Sequence, residues 1–374
     1  MKNIYLDNAA TTAVRPEVID AMMHSLKNDY GNPSSTHALG RQSRSSIELS
    51  RKSIAKLLNC SAQEIIFTAG ATEANNMILR NAVKNLGVKR VITSKIEHHA
   101  VLHTLLDLQK ESDFEIDFVK LKDDGAVNLN SLTYLLSDGK KTLVSLMHVN
   151  NEIGSQLDIA QIAKIVKQYG ALFHSDTVQS IGKCRFDLQQ IPVDFIVASA
   201  HKFHGPKGVG LAFARKGSGI KPMILGGEQE KGLRAGTEST HNIIGMTKAL
   251  ELSIENLDAE TDYITNLKEY AISELTTIFP GIKINGSLDG CFNILNVCLP
   301  ISESKAAMIL FNLDLKGIAV SRGSACQSGS SKGSHVLAEI LSDDDMRKPS
   351  IRISLSHYNT KSDIDALVSA LKIL

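Results

Sequence analysis

The sequence has no surplus of either charge: 41 Lys and Arg stand against 40 Asp and Glu, a formal net charge of +1. No basic excess argues for direct nucleic-acid binding, and no acidic one for a disordered tail. Paired cysteines are also lacking. Cys60, Cys184, Cys291, Cys298 and Cys326 are odd in number and scattered, with no CxxC. That argues against a disulfide framework or a zinc ribbon and for reduced thiols in a soluble cytoplasmic protein. No run approaches a membrane span, and the opening MKNIYLDNAATTAVRPEV has no apolar signal core. Repeats are absent, and so is low complexity apart from SRGSACQSGSSKGSH at 321–335. That exception raises a question, because cysteine usually packs as a small hydrophobe. Nothing beside Cys326 could pack against it.

What remains is ordinary for a globular protein, with 43% hydrophobic and 22% charged residues. At 374 residues the chain exceeds what one core usually serves, so two lobes are expected. Strand-like runs alternate with helical patterns over the first two thirds: EIIFTAG (64–70), RVITSKI (90–96), FEIDFVKL (114–121) and TLVSLMHV (142–149), then ALFHSD, DFIVASA and VGLAFAR. The helix after the first strand carries Met77, Ile78, Ala82 and Leu86 along one face, and DIAQIAKIVKQYG reads as a helix ending at Gly170. The alternation implies an α/β fold with a mostly parallel sheet flanked by helices, whose ligands sit beyond the carboxyl ends of the strands. After about residue 255 a long helix leads into short elements suited to a smaller α+β lobe. The expected division is an N-terminal segment 1–14 packing with the small domain, a large domain 15–255, and a small C-terminal domain 256–374 that carries 321–335.

Three strand ends carry chemistry. SAHKFHGPKGVG (199–210) brings Ser199, His201 and Lys202 out of an apolar strand into a Gly-Pro turn. Alone, this reads as a surface loop with one solvated lysine. FHSDTVQS places Asp176 and Gln179 past another strand, and FTAGATEANN places Gly70, Ala71 and Thr72 between a strand and a helix. A loop before a helix offers free N–H groups for a phosphate. A carboxylate at a central strand end can keep a pyridine nitrogen protonated, and a neighbouring lysine can form a Schiff base. Together these are the parts of a pyridoxal phosphate site.

Here the sequence resembles the cysteine desulfurases, fold-type I pyridoxal phosphate enzymes of the class V aminotransferase group. The resemblance runs nearly end to end, through YLDNAATT (5–12), GNPSSTHALG (31–40), FTAGATEANN (67–76), EHHAV (97–101), MHVNNEIG (147–154), HSDTVQS (174–180), SAHKFHGPKG (199–208), LRAGTEST (233–240), SRGSACQSG (321–329) and SIRISLS (350–356). It implies that Lys202 carries the cofactor and Asp176 pairs with its ring nitrogen. Gln179 and Asn151 would bond the ring hydroxyl. His98 would stack on the ring and move protons, and Ala71, Thr72, Ser199 and His201 would hold the phosphate. Thr237 would reach the phosphate from the second subunit of a homodimer. Arg352, with Asn151 beside it, would clamp the carboxylate of L-cysteine. Cys326 would take the sulfur as a persulfide, with no metal required, although it could serve as a transient iron–sulfur ligand.

The Gly/Ser stretch then reads as a tether for a travelling thiol. Its SGSAC-type pattern, without an RxGHHC motif, marks the group I, nitrogen-fixation and iron–sulfur-assembly type, so an iron–sulfur scaffold or tRNA-thiolation protein is the implied sulfur acceptor. Arg322, Ser331-Lys332-Gly333 and SLSHYNT (354–360) depart from the usual pattern. The chain ends at Leu374 without the C-terminal extension by which some relatives dock a scaffold. Rival readings are a selenocysteine lyase, an aminotransferase of the same fold, and a non-catalytic scaffold-binding member. An aminotransferase does not need a thiol at Cys326, and the intact Lys202, Asp176 and His98 argue against a degenerate chain. The remaining four cysteines read as packing.

Overall fold

The computed structural model describes residues 3–302, 308–322 and 333–372; Cys326, Lys332 and most of the Gly/Ser stretch lie outside the described residues. The chain enters through a short strand, β1 (Ile4–Tyr5), then two helices, α1 (Pro16–Asn28) and α2 (Ala38–Leu57). Pro16 sits in the first turn of α1, where no N–H is needed. These helices do not stand out in the sequence. The buried face of α2 includes Gly40, Ser43, Ser50 and Arg51 beside Ile47 and Ile54, so small and polar residues hide its apolar period.

Seven strands build the main sheet: β2 (Ile65–Thr68), β3 (Arg90–Thr93), β4 (Glu115–Phe118), β5 (Thr142–Ser145), β6 (Leu172–Asp176), β7 (Phe195–Ser199) and β8 (Gly210–Ala214). Their spatial order is β2-β8-β7-β6-β5-β3-β4. All pairings are parallel except those of β8, which runs antiparallel to β7 and to β2. The α/β architecture expected from the alternation is therefore observed. The helices α3 (Ala71–Lys84), α4 (His99–Leu108), α5 (Leu129–Leu136), α6 (Ile159–Gln168) and α7 (Thr240–Glu255) cover the sheet.

Successive strand residues feed opposite faces. Phe67, Ile92, Val144 and Ile196 join the cluster containing Ile47, Ile54, Ile162 and Ile243, whereas Ile66, Val91, Leu143 and Phe195 join the one containing Met77, Ile78 and Val101. The strands are shorter than the sequence runs: pairing stops at Thr93, Phe118 and Ser145, not at 96, 121 and 149. Past those points the backbone turns across the sheet edge, and this turning positions the site.

A long helix, α8 (Leu257–Ile278), leads to the second core. There β9 (Lys283–Ile284), β10 (Ile294–Cys298) and β12 (Ser350–Ser354) form an antiparallel sheet in the order β12-β10-β9, while β11 (Ile318–Ala319) pairs in parallel with β1. Leu6 packs with Leu267, Leu295, Ile351, Ile353 and Leu367 in this cluster. Residues just beyond it reach the other way, with Thr12 N donating to His201 O at 2.9 Å. The N-terminal segment thus bonds to both cores.

Candidate active site

Strands β2, β3, β5, β6 and β7 all run the same way, so the chain leaves each at the same edge of the sheet. A cavity of about 690 Å³ opens there, within the usual range for small-molecule sites.

At one end, α3 begins at Ala71 immediately after Gly70, and Ala71, Thr72 and Ser199 line the wall. Gly70 has φ +156°, a conformation that L side chains rarely adopt. Its turn is crossed by the start of β8. A Cβ at Gly210 would lie 2.4 Å from Ala198 O and 2.7 Å from Gly70 Cα, so only glycine fits. The first N–H groups of α3 have no intrahelical acceptor and lie at the positive end of the helix dipole, an arrangement suited to an anion. His201 lines the same region, its Nδ1 3.1 Å from Thr11 Oγ1. Burial, together with the charges of Lys202 and Lys207, pushes its pKa down to about 4, so the ring is neutral.

Asp176 closes β6 and is 5% exposed. Its Oδ2 accepts from Asn75 Nδ2 at 2.8 Å and its Oδ1 from Val178 N at 3.0 Å. Gln179 follows, donating from Nε2 to Ala9 O at 2.8 Å and accepting at Oε1 from Lys183 Nζ at 3.1 Å. Lys202, at the end of the short 3-10 turn after β7, donates to Ala9 O at 2.7 Å and Ala10 O at 2.9 Å.

His98 caps α4: its Nδ1 accepts from Ala100 N at 3.1 Å. The neutral ring therefore carries its proton on Nε2. Burial lowers its pKa, against the opposing pull of the Asp176 carboxylate. Glu97, the residue before it, is 1% exposed. Its Oε1 accepts from Met147 N at 2.8 Å and Ser94 Oγ at 3.1 Å, while Oε2 is buried without a hydrogen-bond partner.

Arg352 sits in β12 between Ile351 and Ile353. Those two enter the small core, so strand alternation turns Arg352 away from it and into the cavity wall. It is 1% exposed, donating from Nη2 to Asp7 Oδ1 at 2.7 Å and from Nη1 to Asn151 O at 2.8 Å. Asn151 lines the cavity as well.

The cavity thus gathers Ala71, Thr72, His98, Asn151 and Asp176 with Gln179, Ser199, His201, Lys202 and Arg352. Thr237 is exposed in a separate groove with Tyr30 and Asn32, away from its own chain's cavity. Cys326 lies outside the described residues. Just beyond the Gly/Ser stretch, His335 Nε2 lies 2.9 Å from Glu97 O and Ser334 Oγ donates to Glu152 Oε2 at 2.5 Å. Cys60 and Cys184 are partly buried, with burial pushing both thiols up to about 12; Cys291 and Cys298 are buried. Sequence reasoning missed Asn75, Ala9, Ala10, Thr11 and Asp7. The motifs GATEANN and YLDNAATT contain them, but only the fold brings them to this edge.

Burial pushes the Glu97 pKa from its ordinary 4.5 to about 8. Between those values the folded protein keeps a proton that the unfolded chain has released, so stability falls as pH rises across the window. Glu97→Gln mimics the protonated acid without titrating. Its melting temperature is expected to match wild type near pH 4 and to lead by several degrees at pH 8. A lead independent of pH in thermal unfolding would contradict a neutral Glu97.

The chain matches the aminotransferase class-V family over residues 4–367. It is 43% identical to the cysteine desulfurase IscS of Dictyoglomus turgidum, covering 99% of this chain and 94% of that protein. It is 37% identical to the putative cysteine desulfurase IscS 1 of Bacillus subtilis, covering 97% and 96%. A solved NifS-like protein superposes with a TM-score of 0.91 at 35% identity over 100% of this chain and 99% of that one. SspA, solved in complex with cysteine, superposes with a TM-score of 0.82 at 29% identity over 96% and 100%. The chain belongs to the class-V aminotransferase family and, within it, to the cysteine desulfurases.

Proposed function

We propose that the protein is a pyridoxal phosphate-dependent cysteine desulfurase that converts L-cysteine to L-alanine and passes the sulfur to Cys326. From there it goes to an acceptor for iron–sulfur cluster or other sulfur-product synthesis. The observation that carries this reading is the convergence of Lys202, Asp176 and Arg352 on one cavity.

The donor set fits the cofactor. The start of α3 with Thr72, Ser199 and His201 suits a phosphate, and Asp176 suits a protonated ring nitrogen. Gln179 suits a phenolate, because Lys183 holds its Oε1 and leaves one Nε2 N–H beyond the bond to Ala9. Asn75 Oδ1, buried without a partner beside Asp176, marks this wall as polar and incompletely satisfied. When bound, pyridoxal phosphate supplies an electron sink for the substrate α-carbon.

The chain's own residues do the rest. Arg352 and Asn151 orient the substrate by its carboxylate. Lys202 Nζ moves the α-proton. His98 presents Nε2–H toward the cavity as a proton donor, its Nδ1 being engaged at the helix start. The Cys326 thiolate attacks the substrate sulfur: an S–S bond forms, the substrate C–S bond breaks, and its electron pair stays with the carbon fragment. That fragment gains protons and leaves as alanine, while the enzyme holds a persulfide.

The same reading includes a homodimer in the cytoplasm. Thr237 is exposed outside its own chain's cavity, where it can serve a partner's phosphate. Ile19, Met23 and Leu26 present exposed apolar surface at helical spacing on α1, and Leu26 with the exposed Tyr30 just past the helix lines that groove. No helix among the described residues is long and apolar enough to cross a membrane. The domains divide near residue 255, where the chain leaves the large-sheet clusters for the second core.

Cys326→Ser is expected to load cofactor, seen by its absorbance, yet release neither persulfide nor sulfide from L-cysteine; retained turnover would remove Cys326 from the reaction. His98→Asn keeps a good helix cap and loses the ring, so it should melt within about 1 kcal/mol of wild type while losing most turnover. An active His98→Asn enzyme would reduce His98 to a cap. Sedimentation should give a dimer, and Thr237→Val should weaken cofactor retention without dissociating it. A fully active monomer would refute the shared site.

A further inference from the structure

A carboxylate stands behind Arg352. Asp7 Oδ1 accepts from Arg352 Nη2 at 2.7 Å, yet Arg352 lines the cavity and Asp7 does not. Asp7 therefore pairs with the guanidinium from behind. It is firmly placed: Ala10 N donates to Asp7 O at 3.0 Å, Tyr5 Oη donates to the same oxygen at 3.1 Å, and Asp7 bridges to Ser354 of β12. These bonds fix the Asp7 backbone behind Arg352, so its carboxylate has only a short reach to the guanidinium.

This arrangement has two opposed effects on a ligand carboxylate. Asp7 orients the guanidinium, which favours binding. It also cancels the guanidinium charge, so an incoming carboxylate meets a neutral pair in place of a bare cation. The orienting effect is shared, because Asn151 O holds Nη1 at 2.8 Å and the side chain is walled in at 1% exposure. The charge effect is not shared within this pair. Two carboxylates on either side of one guanidinium repel enough, at an effective dielectric of about 20, to change affinity on the order of a hundredfold, and screening at the cavity reduces this to about tenfold. Charge therefore wins over orientation.

We propose that Asp7 is a positioning residue that makes Arg352 a weak, exchangeable holder of monocarboxylate amino acids, fixing its geometry while moderating its grip so that the product leaves. The proposal rests on Arg352 as the carboxylate clamp. Without Asp7 the guanidinium is a buried, uncompensated charge that seeks an anion, and product is such an anion.

The test is calorimetric titration of the purified holoenzyme with L-alanine, alongside steady-state kinetics with L-cysteine. Asp7→Asn is expected to bind L-alanine about tenfold more tightly. KM and the alanine inhibition constant should fall together, and kcat should fall as product release slows. A merely structural Asp7 predicts the reverse, weaker alanine binding and a raised KM, and that result would overturn the proposal. Asp7→Glu keeps the charge and should bind L-alanine within about twofold of wild type; tightening in this variant too would assign the effect to packing and likewise overturn it. Arg352→Lys separates the two readings. If it binds L-alanine as wild type does, the clamp falls and Asp7 with it. If it loses binding while Asp7→Asn is unchanged, the clamp stands and the role of Asp7 alone is gone.

Discussion

A sheet covered on both faces leaves charged side chains one place to go, its ends. Strands β2, β3, β5, β7 and β8 are buried along their whole length, and consecutive residues feed two different hydrophobic clusters. A charged group in the middle of such a strand would lack both water and a partner, whereas Arg90, the first residue of β3, reaches Asp138. Asp176, Ser199 and Lys202 accordingly appear where the strands stop, and parallel pairing puts those stops on one edge. The single antiparallel strand, β8, returns the chain across this edge. It approaches the Gly70 turn so closely that Gly210 has no room for a side chain, while Gly70 itself is held to glycine by its positive φ.

The edge is completed from outside the large sheet. Residues 7–12 run from the small core to the large one and supply backbone carbonyls to Gln179 and Lys202, a hydroxyl near His201 and a carboxylate to Arg352. These bonds join two cores whose apolar clusters are separate. The buried guanidinium of Arg352 is stable in its strand because it is answered from two sides, by Asp7 and by Asn151.

Much of this was legible in the sequence for a physical reason. Buried parallel strands read as continuous apolar runs, and the polar residues that interrupt those runs are the strand ends themselves. GATE, HSDTVQS and SAHK stand out on that ground alone. Helices α1 and α2 did not stand out, because α2 buries Ser43, Ser50 and Arg51 among its apolar residues. The tie between Ala9 and Lys202 spans 193 positions and that between Asp7 and Arg352 spans 345. No periodicity encodes such distances. Asn75 and the capping role of His98 were hidden differently, since a residue type that suits a helix start or a helix interior carries no mark of what it meets across the cavity.

The tie between the two ends of the chain has a consequence for biosynthesis. β1 pairs with β11, and Asn8 and Ala9 bond to Ser354, so residues 4–9 have partners that are synthesised long after them. Because domains fold largely as units during synthesis, the main sheet can close around its core while residues 3–12 still wait. The half of the site that carries Lys202 and Asp176 then forms before the half that carries Arg352. A nascent chain is in this sense a lysine-bearing cavity without its carboxylate anchor, and only the arrival of β12 turns it into one that selects amino acids.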